Sequence, residues 1–162
     1  GRLFDVISSI LGVKSFNSYE GECAILLENC AYNAINASSS AYPLSFDITE
    51  NDDSISISIN NLIKDIIDAK GRNVCVDELA LGFHYAVADM IFKACSLIRE
   101  KDLISKVALS GGVFSNKILL ERAVCLLARN GFEVYFNKAV PTNDGGIALG
   151  QGFYAAKCAN RI

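Results

Sequence analysis

The chain has 162 residues, 51% of them hydrophobic and 20% charged, with a formal net charge of -3 and an isoelectric point near 5.1. A chain of this length buries roughly 70% of the surface its unfolded form exposes, so a single compact soluble core needs no disulfide staples. The acidic balance argues against bulk attraction to nucleic acid or an anionic membrane, while leaving room for a local positive pocket. No apolar run is expected to reach the roughly 18–20 residues of a membrane span, and no basic-then-apolar leader opens the chain. The first residue is not methionine and runs straight into an amphipathic pattern, so a piece of something longer is expected.

Residues 2–12, "RLFDVISSILG", place Leu3, Phe4, Ile7, Ile10 and Leu11 on one stripe, with Gly12 as the stop. That periodicity predicts an amphipathic helix. After the turn-like "SFNSYEG", a second helix is expected from Glu20 to Ala34, with Cys23 and Cys30 on one face. The stretch "NASSSAYPLSF" reads as a loop leading into an extended segment, and Glu50 to Asp53 as a solvated turn. In "SISISIN", Ile55, Ile57 and Ile59 alternate with serines, which predicts a half-exposed strand. Leu62, Ile63, Ile66 and Ile67 predict a helix closed by Gly71.

A long helix follows from Asp77 to Glu100, with Leu81, Ala88, Ile91, Phe92, Cys95 and Ile98 available for burial. The rest alternates: strand 106–109, helix 116–129, strand 133–136 and helix 146–157. Helices separating strands in this way favour parallel pairing through crossovers. Six cysteines, at 23, 30, 75, 95, 125 and 158, include no CxxC pair. They read as reduced structural thiols, and the cytoplasm as the natural compartment.

Two stretches carry a chemical signal. In "VALSGGVFSNKILLERAV" (107–124) a strand ends in Gly111-Gly112 and a helix opens near Asn116. Backbone N–H groups at a helix start favour an anion, and glycine lets a ligand approach the main chain. The pattern is neither a Walker A loop nor GxGxxG. The alternative is a tight turn with Ser115 or Asn116 capping the helix. In "VPTNDGGIALGQGF" (140–153), Asp144 stands at a helix start, where it caps, binds a metal or orients a ligand hydroxyl. Ala148, Gly150 and Gly152 would let that helix sit close to a neighbour. Parallel strands put both turns on one sheet edge, where α/β proteins bind ligands. His84, the only histidine, reads as a satisfied core or surface residue. No Ser-His-Asp or Cys-His set can be assembled.

Taken in order, "RLFDVISSILGV", "SYEGECAILLE", "VALSGGVFSNKILLERAV", "GFEVYF" and "VPTNDGGIALGQGFYAA" resemble the carboxy-terminal part of the HypF hydrogenase-maturation carbamoyltransferases. The likeness is weakest across residues 36–75. A more distant likeness, through GGV-x-x-N and the aspartate-glycine pattern, is to the tRNA threonylcarbamoyl transferases. The resemblance implies an α/β, ribonuclease-H-like lobe of the actin and sugar-kinase (ASKHA) class, with residues 1–36 as a helical lead-in and 37–162 as the lobe. It implies carbamoyl-adenylate made from carbamoyl phosphate and ATP. The carbamoyl group then moves to the C-terminal cysteine of a partner, HypE, on the way to nickel-iron hydrogenase. Carried over by position, Asp5, Gly21, Gly111, Gly112 and Asn116 contact the nucleotide, and Asp144 ligates a divalent metal, iron or similar. The metal would act as a Lewis acid on a carbamoyl or phosphoryl oxygen. No catalytic residue is assigned, because the attacking thiolate belongs to the partner. The family's histidine pair has no counterpart in this chain, so it is expected to bind nucleotide weakly and not to turn over alone. The competing reading is a nucleotide-binding or docking module without chemistry.

Overall fold

The computed structural model describes residues 2–51 and 54–159. Along it run α1 (Arg2–Leu11), α2 (Glu22–Asn36), β1 (Asp47–Asn51), β2 (Ser54–Ser58), α3 (Asn60–Gly71) and α4 (Val76–Asp102). They are followed by β3 (Lys106–Leu109), α5 (Lys117–Arg129), β4 (Glu133–Phe136) and α6 (Ile147–Ala159). Short 3-10 turns at Gly112–Ser115 and Asp144–Gly146 lead into α5 and α6. The expected elements all form, with ends shifted by a few residues. Of the expected turn at Glu50–Asp53, Glu50 and Asn51 belong to β1, while Asp52 and Asp53 lie outside the described residues.

The mixed α/β class holds, but the strands of the described residues form two separate ladders. β1 and β2 pair antiparallel with Ile48 opposite Ile57, and β3 and β4 pair in parallel with Val107 opposite Val134. The parallel pair is joined through α5, as the spacing of strands and helix requires. Lys106 and Glu133, opposite one another at its start, form an ion pair at 3.6 Å.

The core lies on the first half of α4. From Leu79 to Ala88 all but Tyr85 is buried, and Leu27, Ala31, Ile7, Leu62, Ile66, Leu119 and Leu127 close around it. α1 and α2 are therefore full members of one core shared with α3, α4 and α5. The 27-residue α4 is long and apolar enough to cross a membrane by length and composition, against the expectation that no segment would be. Here it serves as the central helix between α2 and α5. Its second half is less covered than its pattern suggested, and Ile98 is exposed. Gly82 explains how the loop before β1 lies on α4: a Cβ there would fall 2.1 Å from the Tyr42 carbonyl oxygen. Across the α4–α5 contact, the Arg122 guanidinium stacks over Tyr85 at 4.5 Å and reaches Asp89 at 3.7 Å.

All six cysteines are free. Cys23 is buried, but Cys75 and Cys158 are exposed, so burial accounts for only part of the set. Every residue of α6 is exposed, including Phe153 at 65% and Tyr154 at 72%. Apart from chain neighbours and the backbone of α6 itself, nothing among the described residues comes within 4 Å of where a Cβ on Gly150 or Gly152 would stand. The close neighbour expected for that small-residue face is absent from the described residues.

Candidate functional site

β3 ends on buried Leu109, and the chain then turns through Gly111 with φ +103° and ψ 158°. Side chains avoid that region, so the turn needs glycine for its backbone alone. Beyond its chain neighbours, a Cβ there would meet nothing within 4 Å among the described residues, which leaves an open approach to the main chain. The second glycine-rich turn docks on the first. Gly111 N–H donates to the Thr142 carbonyl at 3.0 Å, and the Ser115 and Thr142 hydroxyls lie 3.2 Å apart. Gly112 approaches Asn143, with a Cβ at 3.8 Å from the asparagine's own. Asn143 Oδ1 accepts from Gly145 N–H at 3.1 Å and so shapes the start of α6. Gly146 is held against the Pro141 carbonyl, which a Cβ would meet at 2.5 Å. The two turns that share a sheet edge in the sequence reading thus form one surface.

Asn116 begins α5 as its cap. Its Oδ1 accepts from Leu119 N–H at 2.9 Å, and its Nδ2 lies 2.9 Å from His84 Nε2. His84 is fully buried on α4, with Nδ1 at 2.7 Å from the Ala80 carbonyl. Burial pushes its pKa below the ordinary value, against a smaller opposing effect of the Ala80 hydrogen bond.

Of the two alternatives for the start of α5, an open anion site or a capped turn, the local geometry is that of a capped turn. Glu28 of α2 reaches across, and its Oε1 accepts from Lys117 N–H at 2.7 Å and from Ile118 N–H at 3.5 Å. With Asn116 on Leu119, the first-turn donors are satisfied and the macrodipole already faces a carboxylate. A phosphate has no vacant start of α5 to bind. Local sequence could not reveal this, because Glu28 and Lys117 are 89 positions apart.

The other candidate residues sit nearby only in part. Asp144 is exposed in its 3-10 turn, with no side-chain partner among the described residues. No three His, Cys, Asp or Glu side chains cluster as a metal site among the described residues, so this donor set amounts to one carboxylate. A stable site needs three or more ligands, and these residues do not hold a metal by themselves. Asp5 lies half-buried on α1, beside Phe4, whose ring meets His84 edge-on at 5.5 Å. Gly21 takes a left-handed conformation before α2. The adjoining loop is fixed by Asn17 Oδ1 on Cys23 N–H at 2.7 Å and by a Lys14–Glu22 ion pair at 3.2 Å. The Ser18 N–H first, and then Lys14, hold the Glu22 carboxyl below its ordinary pKa. Neither Asp5 nor Gly21 makes a hydrogen bond or ion pair to the glycine turns among the described residues. A surface concavity of about 580 Å³, lined by Glu50, Asn51, Glu100 and Lys101, includes no residue of those turns. It is a shallow surface hollow, and the docked turns offer the stronger site by backbone geometry.

A family model described as "Carbamoyltransferase, Kae1-like Domain, second subdomain" matches residues 1–151. The chain belongs to the HypF carbamoyltransferase family. It is 32% identical to the probable carbamoyltransferase HypF of Methanocaldococcus jannaschii over 94% of its own length and 19% of the relative's. To the carbamoyltransferase HypF of Synechocystis it is 33% identical, over 93% of this chain and 18% of that protein. Its fold matches a crystal structure of full-length HypF in the phosphate- and nucleotide-bound form, with a TM-score of 0.85 and 33% identity. That match covers 98% of this chain and 20% of the solved one. The HypF of T. kodakarensis, 24% identical, shares the fold with a TM-score of 0.77 over 98% of this chain and 20% of its own. The chain thus spans about a fifth of the length of each of these four HypF proteins.

Proposed function

We propose that this chain is one lobe of a carbamoyl-transfer site, the lobe that presents two docked glycine turns to a nucleotide. The observation that carries this reading is Gly111, a glycine-only backbone with open space over its missing side chain. In this reading Gly111 and Gly112 clear room for the adenosine of ATP or carbamoyl-adenylate. Asn116 reaches toward that adenosine, and Asp5 and Gly21 contribute toward the sugar. The filled start of α5 argues that phosphates are held away from that helix start. Asp144 gives one carboxylate to a divalent metal whose other ligands come from outside the described residues. The solved HypF structure in its phosphate- and nucleotide-bound form supports the ligand class.

The acceptor is the C-terminal cysteine of a HypE-type partner in the cytoplasm. Burial raises the pKa of Cys30 and of Cys95, which suits structural thiols and leaves the nucleophile to that partner. The apolar, fully exposed α6 supports a second lobe packing over it, completing an ASKHA-type cleft. The test is calorimetric titration of ATP and, separately, of a divalent metal ion into the full-length protein that carries this chain. Gly111→Ala should weaken ATP binding, and Asp144→Ala should weaken binding of the metal. Wild-type affinities in both variants would remove the site from these turns.

A further inference from the structure

We infer that His84 is a positioning residue, which sets and holds the orientation of the Asn116 carboxamide at the foot of the glycine turn. The Ala80 carbonyl can only accept, so His84 Nδ1, 2.7 Å away, carries the ring proton. In the neutral imidazole Nε2 is then an acceptor, and it faces Asn116 Nδ2 at 2.9 Å. That choice turns Asn116 Oδ1 toward Leu119 N–H, also at 2.9 Å. Flipping the amide would set two acceptors together at His84 and two donors together at Leu119. Both ends of the carboxamide therefore demand one orientation, and His84 supplies one of the two demands.

The imidazole is itself immobilised. It is fully buried, and the rings of Phe4 and Phe83 meet it edge-on at 5.5 and 5.9 Å. These rings, the Ala80 carbonyl and Asn116 are all uncharged, so the surroundings favour the neutral ring that the arrangement requires. An asparagine capping a helix needs only its oxygen. The histidine behind it fixes the nitrogen as well, and leaves one further amide hydrogen and one further lone pair in set directions. These remaining groups can donate to and accept from ligand hydroxyls. This ligand role rests on the nucleotide reading of the site, whereas the lock itself does not.

The experiment uses the full-length protein with His84→Phe, His84→Gln and Asn116→Ala. Amide hydrogen exchange at Leu119 and ATP affinity are measured for each. His84→Phe should speed exchange at Leu119 by about fivefold or more and weaken ATP by a similar factor, the scale of one hydrogen bond. His84→Gln, which can again accept from Asn116, should recover most of both. Equal losses in the two variants would reduce His84 to a packing residue and overturn the inference. So would unchanged exchange at Leu119 in His84→Phe. If His84→Phe left ATP affinity intact while Asn116→Ala weakened it, the ligand role would fall. If Asn116→Ala left ATP untouched, the nucleotide reading would fall instead, and exchange at Leu119 would still judge the lock. A readout that spares His84 is its NMR titration in Asn116→Asp. With a carboxylate in place of the N–H that faces Nε2 at 2.9 Å, the ring should bind its proton at higher pH than in wild type, and an unchanged titration would overturn the lock.

Discussion

Removing the Glu28 carboxylate tests whether α5 begins on a filled anion site. In Glu28→Ala the Lys117 N–H loses a charge-assisted acceptor at 2.7 Å, while the Ile118 contact at 3.5 Å is weak and adds little. A hydrogen bond to a charged group contributes about 1.5–3 kcal/mol, and the macrodipole about 0.3–1 kcal/mol. The Lys117 contact is exposed to solvent, so the lower end applies, about 1–2 kcal/mol. For a domain of this size that lowers Tm by roughly 2–8 °C. Glu28→Gln keeps an accepting oxygen but loses the charge, and should fall between the two. Thermal unfolding with added sulfate is the assay. Sulfate should restore Glu28→Ala more than it stabilises wild type, because the vacated N–H groups become an anion site. A Glu28→Ala melt indistinguishable from wild type, or equal sulfate gains in both, would refute the reasoning.

Gly82→Ala should destabilise by about 1–3 kcal/mol in urea unfolding, since its Cβ would sit 2.1 Å from the Tyr42 oxygen and lift the loop off α4. Near-wild-type stability would mean that this loop does not pack there. Gly111→Ala should cost about 1–3 kcal/mol through its backbone alone. Gly150→Ala, in an open stretch of α6, should gain up to about 1 kcal/mol of helix propensity, and both follow from the same unfolding curves. His84 sets a pH dependence: its folded pKa lies below the ordinary 6.5, so the unfolded chain takes up a proton first as pH falls. The stability it contributes is full above 6.5 and lost as pH drops toward the folded value. Tm should therefore fall in that window, and His84→Gln should flatten the fall.

What could be read from the sequence was whatever depends on neighbours along the chain. The stripe Phe4, Ile7 and Leu11 is buried as its spacing requires, and both glycine turns open helices as their flanking strands imply. Alternation in "SISISIN" did give a strand, although it ends at Ser58 and leaves Ile59 outside. Contacts between distant positions were out of reach. Whether Asn116 capped a helix or faced a ligand depended on His84, 32 positions earlier. Whether the helix start was open depended on Glu28. Both partners look ordinary in their own segments, one a helical acid and the other a lone histidine among apolar residues.

Those two long-range partners change what the glycine turn can do. With the start of α5 closed by Glu28, that helix does not offer its dipole to a phosphate. What remains is clearance at Gly111 and a carboxamide held from behind by His84, features suited to an uncharged sugar or base. The carboxylate of Asp144 stands apart and exposed, which suits a group completed by another surface. α6 points the same way, because a helix carrying Ile147, Leu149, Phe153 and Tyr154 into solvent has no reason to be stable uncovered. Substituting Leu149 and Phe153 by serine should thus leave the fold of residues 2–136 intact. It should also weaken association with the rest of the full-length protein, measured by adding that part as a separate chain. Undiminished association would place the covering surface elsewhere and leave α6 without a role in completing the site.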